Sequence, residues 1–526
     1  MQPYSAIVNN KKTAKIYENV PARTFDLLSK YQKEFGSEKV LVVGKEEGEW
    51  RPYTVAEAIE IVNSISCALI ASGIKKGDRI AIASRNCPQW NFIDWAIQQV
   101  GAITLPLYTT ISEDDYRYNI SHSECKMLFI YGRDIYRKIA NILPELSNLQ
   151  KIVSIQPVEG LTSLEQFRAM QGCSSDELNK VRQSVSEHDI ATIIYTSGTT
   201  GTPKGVLLTH NNLASNTKCL DALFPASAET VMLSYLPLSH IFEREVVAAY
   251  MNMGAAVYYA ENMGTIMRDI ADIKPTVFTT IPRLIEKIHS RILLSGTKMK
   301  GWKKKLFDWS IELGYQFDED FDNSIGYRIR RAIADFFVYR KLRAVLGNRL
   351  EVIIMGGSTI QPKLSKLFAA MGTPIMEGYG LTETSPVIAV NSPITRHIRI
   401  GTVGFPVQNI DLKISENGEI LVKGPSVMAG YFKSPEVTQQ VIDSDGYFHT
   451  GDLGELEDGF LRLTGRVKEV FKTSMGKYIS PSMIENSMME SSYINNIIVV
   501  GDAQKFAGAL IVPNFEQLQL CAKITI

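Results

Sequence analysis

Ile193-Ile194-Tyr195-Thr196-Ser197-Gly198-Thr199-Thr200-Gly201-Thr202-Pro203-Lys204-Gly205 is the stretch on which the reading of this chain turns. A β-rich run enters a loop of glycines and hydroxyls, and Val206-Leu207-Leu208 leaves it as another strand. Glycines let backbone N–H groups close on a phosphate, and each Ser or Thr adds a donor. Lys204 supplies positive charge for the anionic oxygens. This is not a Walker A loop, in which Gly-Lys is followed by Ser or Thr, because Pro203 precedes the lysine here. The bland alternative is a Gly/Thr surface loop; the flanking strands and the Pro-Lys-Gly close weigh against it.

Outward from this loop the chain alternates helix and strand signals. Apolar residues at helical spacing run from Val55 to Ser72 and end at Gly73. A short strand, Arg79 to Ala83, follows the turn Lys76-Gly77-Asp78. A helix from Trp90 to Val100 and a strand from Ala102 to Leu107 continue the rhythm, which recurs as strand Leu350 to Met355, helix Lys363 to Met371 and strand Pro374 to Tyr379. This βαβ order predicts an α/β fold, with mostly parallel sheets covered by helices on both faces. From Asn417 the style becomes β-rich, with short strands Glu419 to Lys423, Gly446 to Leu453 and Phe460 to Leu463 and the turn Glu457-Asp458-Gly459. A small α+β unit closes the chain, with strand Glu469 to Thr473, helix Pro481 to Glu490 and strands Ile497 to Gly501 and Ala509 to Val512. The expected division is a large domain over 1–465 and a small, mobile one over 466–526.

The 526 residues exceed one ordinary domain. Lys+Arg and Asp+Glu are both 56, so no surplus positive charge favours nucleic acid as a general partner. The six cysteines are scattered, without zinc-site spacing, and read as free thiols of a reducing compartment. No signal peptide is visible at the N-terminus and no apolar run is long enough to span a bilayer. These features lead to the expectation of a cytoplasmic protein, at most attached to a membrane surface. The oligomeric state is not legible.

The loop at 193–205 resembles the signature of adenylate-forming enzymes, the superfamily of acyl-CoA synthetases, adenylation domains and luciferase, and further blocks of that family follow in order. Gly356-Gly357-Ser358 resembles the turn beside the adenine. Glu377-Gly378-Tyr379-Gly380-Leu381-Thr382-Glu383-Thr384 resembles the next block; the resemblance implies that Tyr379 stacks on adenine, Thr382 touches the α-phosphate and Glu383, with Thr196, holds Mg²⁺. Thr450-Gly451-Asp452-Leu453 resembles the ribose block, with Asp452 accepting from the sugar. Gly465-Arg466-Val467-Lys468-Glu469 resembles the domain junction, with Arg466 on the nucleotide and Lys468 at the hinge. The implied substrates are ATP, a carboxylic acid and coenzyme A. The chemistry fits: a carboxylate is a poor electrophile until converted to a mixed anhydride with AMP, and building negative charge calls for Mg²⁺, lysine and backbone donors. In isolation Glu383 would read as a carboxylate at a helix start, Asp452 as a turn former and Arg466 as an ion-pair partner. Their order behind the loop reverses that judgement.

Leu236-Pro237-Leu238-Ser239-His240-Ile241-Phe242-Glu243-Arg244 resembles the block near the substrate carboxylate, in its long-chain form, and points to His240. The stretch Ile292 to Asn348 is similar to the extra helical segment of long-chain members, and Phe471 to Pro481 to their junction, which implies that Gly476 lies near the pantetheine channel. The acid implied is therefore a long-chain fatty acid. Lys298, Lys300, Lys303, Lys304 and Lys305 surround Trp302, Phe307 and Trp309, a pattern suited to an anionic membrane surface across 298–309; a solvated helix face with its aromatics inward is the alternative.

The lysine of the family's final block is not found. After Val512-Pro513-Asn514 the chain runs to Ile526, and Lys523 lacks the surrounding motif, so a C-terminally truncated small domain with slow adenylation is expected. Two other functions remain open: an acyl-AMP ligase that loads a carrier protein, and a catalytically weak fold that binds nucleotide and fatty acid. A Ser-His-Asp hydrolase lacks its Gly-x-Ser-x-Gly support, and a dinucleotide dehydrogenase its Gly-x-Gly-x-x-Gly.

Overall fold

Two stacked sheets, each parallel through its centre, carry the chain. The computed structural model describes residues 20–515 and Leu518, apart from Gln171, 197–201, Ala222, Met263, Glu490 and Ser492. One sheet has nine strands in the order Phe405–Pro406, Val387–Val390, Ile375–Gly380, Val352–Met355, Val277–Thr280, Val231–Ser234, Ala256–Tyr259, Val40–Glu46 and Glu49–Thr54. Its six central strands are parallel and its edges antiparallel. The other has eight, in the order Gly430–Tyr431, Lys204–Thr209, Ile190–Thr196, Ile103–Leu107, Arg79–Ala83, Met127–Ile130, Lys151–Ser154 and Thr162–Ser163. The βαβ rhythm of the sequence thus serves two sheets, and the expected α/β class holds.

Helix Pro88–Gln99 touches both sheets and is buried on all sides, with Trp90, Phe92, Ile93, Ala96 and Ile97 inaccessible to solvent. Its polar members Asn91, Asp94, Gln98 and Gln99 are buried as well, and each has a hydrogen-bond partner. Gly44, on strand Val40–Glu46, permits the approach: a Cβ there would lie 2.5 Å from the Pro88 ring. Capping boxes start several surface helices, such as Thr54 with Glu57 ahead of Val55–Ala71 and Ser112 with Asp115 ahead of Glu113–His122.

Helix Ile241–Asn252 carries Arg244 into the same interior. Its guanidinium donates to Asp94 at 2.6 Å and to Thr192 Oγ1 at 3.0 Å, while Asp94 also accepts from Gln98 and Thr104. Arg244 thus ties the inter-sheet helix to strand Ile190–Thr196.

Between Thr280 and Val352 the chain adds helices Pro282–Thr297, Gly301–Tyr315, Ile325–Ala334 and Arg340–Ala344, with a π turn at Asp335–Tyr339. They form a second core with helix Pro362–Ala370 around Ile285, Phe307, Leu313 and Phe368. Tyr327 and Tyr339 fasten the layers by donating to the carbonyls of Leu313 and Ser310. The β-rich region is a four-stranded antiparallel sheet, Asp411–Ile414, Glu419–Lys423, Phe448–Glu457 and Phe460–Arg466. Beyond it lie two-stranded pairs, Phe471–Lys472 with Tyr478–Ile479 and Ile494–Val500 with Gly508–Pro513, and helix Pro481–Met488.

Two expectations need correction. The cysteines are not all free thiols: Cys67 and Cys173 form a disulfide across 106 residues, while Cys87, Cys125 and Cys219 are buried and free. No spacing rule reaches such a pair, because helix Val55–Ala71 and the chain ahead of helix Ser175–Gln183 meet only in the fold. Of the two readings of 298–309, Phe307 follows the inward-facing one, buried against Gly296, whereas Trp302 stays 65% exposed. The strand expected over Gly446 to Leu453 instead begins at Phe448 and continues to Glu457, into the turn at Asp458–Gly459. Among the described residues no helix is long and apolar enough to cross a membrane.

Candidate active site

Four adjacent parallel strands of the nine-stranded sheet end at one rim. Val231–Ser234 leads to Leu236–His240, Val277–Thr280 to Ile281, Val352–Met355 to Gly356–Ser358, and Ile375–Gly380 to Thr382–Thr384. The carboxyl ends of parallel strands are where open α/β sheets leave a crevice for ligands. His240, Gly357, Ser358, Thr382 and Glu383 follow these strand ends, while Glu377, Gly378 and Tyr379 lie within the last strand.

His240 caps helix Ile241–Asn252, its Nδ1 accepting from the Phe242 N–H at 3.1 Å. Solvent reaches the ring although protein surrounds it, and this desolvation lowers its pKa from the usual value. The rest of the Ser-His-x-x-Glu-Arg run is structural. Glu243 is buried against Thr279 and Ser234, burial raising its carboxyl to about 7, and Arg244 goes to Asp94. Together they lock the helix that presents His240. Gly356 lies under the Phe242 ring, where a Cβ would come within 3.0 Å, and Gly357 adopts φ 82°, so a side chain at either would disturb the turn.

Glu377 does not enter the crevice. Its buried carboxyl takes a 3.4 Å hydrogen bond from Ser365 and another from the Ile360 N–H, and burial pushes its pKa up to about 8. It braces the Gly356–Ile360 turn from behind. Gly378 lies within the strand opposite Val390.

Two short chains of contacts join the remaining residues. In the first, Tyr379 donates through its hydroxyl to Asp452 at 2.7 Å, and Arg466 pairs with the other carboxylate oxygen at 3.1 Å. Asp452 and Arg466 face each other across strands Phe448–Glu457 and Phe460–Arg466, and the Asp452 N–H donates to Thr450 Oγ1 at 3.1 Å. Burial raises the Asp452 carboxyl, opposed by the Tyr379 hydrogen bond and the Arg466 charge. In the second, Tyr431 donates to Glu383 at 2.8 Å, and Lys204 Nζ sits 5.3 Å over the Tyr431 ring. Tyr379 and Glu383 are four residues apart, so the two chains share one segment.

Tyr431 went unnoticed in the sequence. Strand Gly430–Tyr431 pairs with Lys204–Thr209 in the eight-stranded sheet, while its hydroxyl reaches Glu383 on the nine-stranded one. The Met428 N–H donates to the Glu383 carbonyl at 2.8 Å, a second tie between these segments. A Gly-Tyr-Phe run between turns was the available signal, but two residues are too short for periodicity. Lys204 itself opens a strand, pairing with Thr196 across the hairpin. Ser197, Gly198, Thr199, Thr200 and Gly201 lie outside the described residues, as does Lys523. Lys204, at the start of the returning strand, is thereby set beside the Tyr431 ring whose hydroxyl holds Glu383.

Lys468 sits in the turn after Arg466, where the Glu469 and Val470 N–H groups donate to the Arg466 carbonyl. Gly476 turns the pair Phe471–Lys472 and Tyr478–Ile479 with φ 86°. No group of three or more His, Cys, Asp or Glu side chains is arranged to hold a metal among the described residues. A lone Glu383 carboxylate fits Mg²⁺, which takes one or two protein carboxylates and completes its shell with phosphate and water. A separate cavity lined by Thr24, Asp94, Arg244 and Glu245 contains none of the expected residues.

Known proteins share this fold. Residues 29–432 match the model of the AMP-binding enzyme family and residues 468–523 that of the AMP-binding enzyme C-terminal domain, so the chain belongs to the AMP-binding enzymes. Long-chain-fatty-acid–CoA ligase FadD15 of Mycobacterium bovis is 34% identical over 88% of this chain and 78% of that protein. Fatty acyl-CoA synthetase A of Dictyostelium discoideum is 30% identical over 97% of this chain and 80% of that protein. Among solved structures, ATP-bound MatB from Rhodopseudomonas palustris superimposes with a TM-score of 0.72 at 22% identity, covering 94% of this chain and 88% of that one. A Mycobacterium tuberculosis fatty acyl CoA synthetase does so with 0.65 at 18%, covering 96% and 92%. These likenesses fix the fold as that of adenylate-forming enzymes.

Proposed function

We propose that this chain is a long-chain fatty acid–CoA ligase, converting ATP, a fatty acid and coenzyme A to acyl-CoA, AMP and diphosphate through an acyl-adenylate. The observation that carries the reading is its identity of 31–34%, over most of its length, with ligases and synthetases named for long-chain acids.

In the first half-reaction the carboxylate oxygen attacks the α-phosphorus and diphosphate leaves. Lys204 lies beside the loop that would receive the phosphates and offsets their charge. Glu383, held by the Tyr431 ring that lies beneath Lys204, would with Thr196 hold Mg²⁺, which neutralises phosphate charge when bound. Thr382 donates to the α-phosphate. Asp452 accepts from the ribose hydroxyls, with Arg466 and Tyr379 setting its orientation. Tyr379, Gly357 and Ser358 border the adenine. His240 meets the acid's carboxylate as a neutral imidazole, consistent with its lowered pKa. In the second half-reaction the thiolate of coenzyme A attacks the acyl carbon and AMP departs, the thiol's arm running past Gly476. The small domain, from 466 onward, turns about Lys468 between the two.

Thioester formation measured from acetate through palmitate, with ATP and coenzyme A, tests the proposal; turnover should rise steeply for the long acids. AMP release that depends on the acid but not on coenzyme A would favour an acyl-AMP ligase loading a carrier. Binding of nucleotide and acid without turnover would favour a binding fold.

A further inference from the structure

Helix Ile325–Ala334 is apolar on two faces. One face, with Tyr327 and Ala334, is buried against the layer beneath. The other faces water: Ile325 is 77% exposed, Ile329 60% and Phe336 63%, with Ile333 and Phe337 also open. The spacing 325, 329, 333 and 336 puts them on one stripe. Exposed Arg328 and Arg330 flank this stripe, and exposed Arg340 and Lys341 continue it. The single acidic residue in 325–345, Asp335, is half-buried and ion-paired with Arg343. A chain of zero formal net charge thus gathers positive charge around its exposed isoleucines and phenylalanines.

We infer that the outer face of 325–345 docks on an anionic lipid bilayer, with Ile325, Ile329, Ile333 and Phe336 entering the interface and the arginines meeting the headgroups. An apolar stripe between basic residues is what a helix lying in a membrane surface needs. A second copy of this chain is the weaker fit, since a two-fold contact through this face would oppose arginine to arginine. The surface differs from the lysine-rich 298–309 segment singled out in the sequence, where Phe307 turns inward and Lys304 is paired with Asp308. The inference deepens the acyl-substrate reading, because a bilayer is where an apolar acid resides. Its readout is vesicle binding, so it stands or falls separately from turnover.

The test is co-sedimentation of the full chain with phosphatidylcholine vesicles with and without roughly one-third phosphatidylglycerol. The wild type should sediment with the anionic vesicles, less so as salt rises. Ile329→Ser/Ile333→Ser/Phe336→Ser should lose at least about tenfold in binding, with an unchanged melting temperature because these side chains are exposed. Arg328→Gln/Arg330→Gln/Arg340→Gln leaves the apolar stripe intact and should abolish the preference for anionic vesicles. Wild-type protein that ignores vesicles would overturn the inference, as would a triple serine variant that binds like wild type. A dimer dissociated by the serine changes, without vesicle binding, would assign the face to a second copy. Loss of binding only on neutralising Lys298, Lys300, Lys303, Lys304 and Lys305 would move the surface to 298–309.

Discussion

At the residue scale, the site depends on side chains that orient others. Tyr431 holds Glu383 from the neighbouring sheet and lies beneath Lys204. Tyr431→Phe keeps the ring and removes only the donor to a carboxylate, an interaction worth about 1.5–3 kcal/mol. ATP–diphosphate exchange should therefore fall about tenfold or more at fixed Mg²⁺, with the melting temperature little changed; exchange at the wild-type rate would remove Tyr431 from the site. Glu377 gives a pH signature. Folded, it keeps its proton to about pH 8, whereas an unfolded glutamate releases it near 4.5. Raising the pH through that window favours the unfolded state, so its stabilising contribution is full below about 4.5 and gone above about 8. Glu243 and Glu245, raised to about 7 and about 8, act in the same direction. Glu377→Gln should thus reduce the decline of melting temperature between these limits without abolishing it; an unchanged profile would show that Glu377 is already ionised at neutral pH.

At the element scale, helix Ile241–Asn252 links the interior to the crevice, with His240 at its cap and Arg244 one turn on. Arg244→Ala leaves Asp94 buried without its cation, a loss that typically costs about 3–5 kcal/mol. Thermal melting should drop by several degrees, while Asp94 keeps only the Gln98 and Thr104 hydrogen bonds; a melt at the wild-type temperature would refute a stabilising role. The sequence displayed these elements unevenly. Strands Arg79–Ala83 and Glu419–Lys423 were readable to the residue because apolar runs stop at turn formers. The ordered blocks carrying Lys204, Tyr379, Glu383, Asp452 and Arg466 were readable as motifs. Their direct pairings were not, because Asp452 meets Tyr379 across 73 residues, and only the fold sets such distances. Arg466 had a bland reading as an ion-pair partner, and the structure makes Asp452 that partner. Tyr431 and the Cys67–Cys173 bond were hidden for the same reason, each being a long-range contact without a local pattern.

At the scale of the whole molecule, polar contacts among the described residues join the small C-terminal unit to the body in the observed pose. Ser480 Oγ donates to the Thr464 carbonyl at 2.8 Å, close to Gly465, where a Cβ would lie 2.3 Å from that oxygen. Gln361, beside the Gly356–Ile360 turn, donates to the Met489 carbonyl at 2.5 Å. The second contact spans the crevice rim and the small unit, so a rotation about Lys468 has to break it. One uncharged hydrogen bond contributes about 0.5–1.5 kcal/mol, enough to shift a two-state balance roughly two- to tenfold. Gln361→Ala should then change the two half-reactions unequally: diphosphate exchange, which reports adenylation, and thioester formation from supplied acyl-adenylate should move by different factors, and in opposite directions if the observed pose serves one of them. Lys468→Ala, acting at the pivot, should produce the same inequality without touching Met489. Equal effects of both substitutions on both half-reactions would mean that the small unit works in a single pose, and the alternation assigned to it would have to be abandoned.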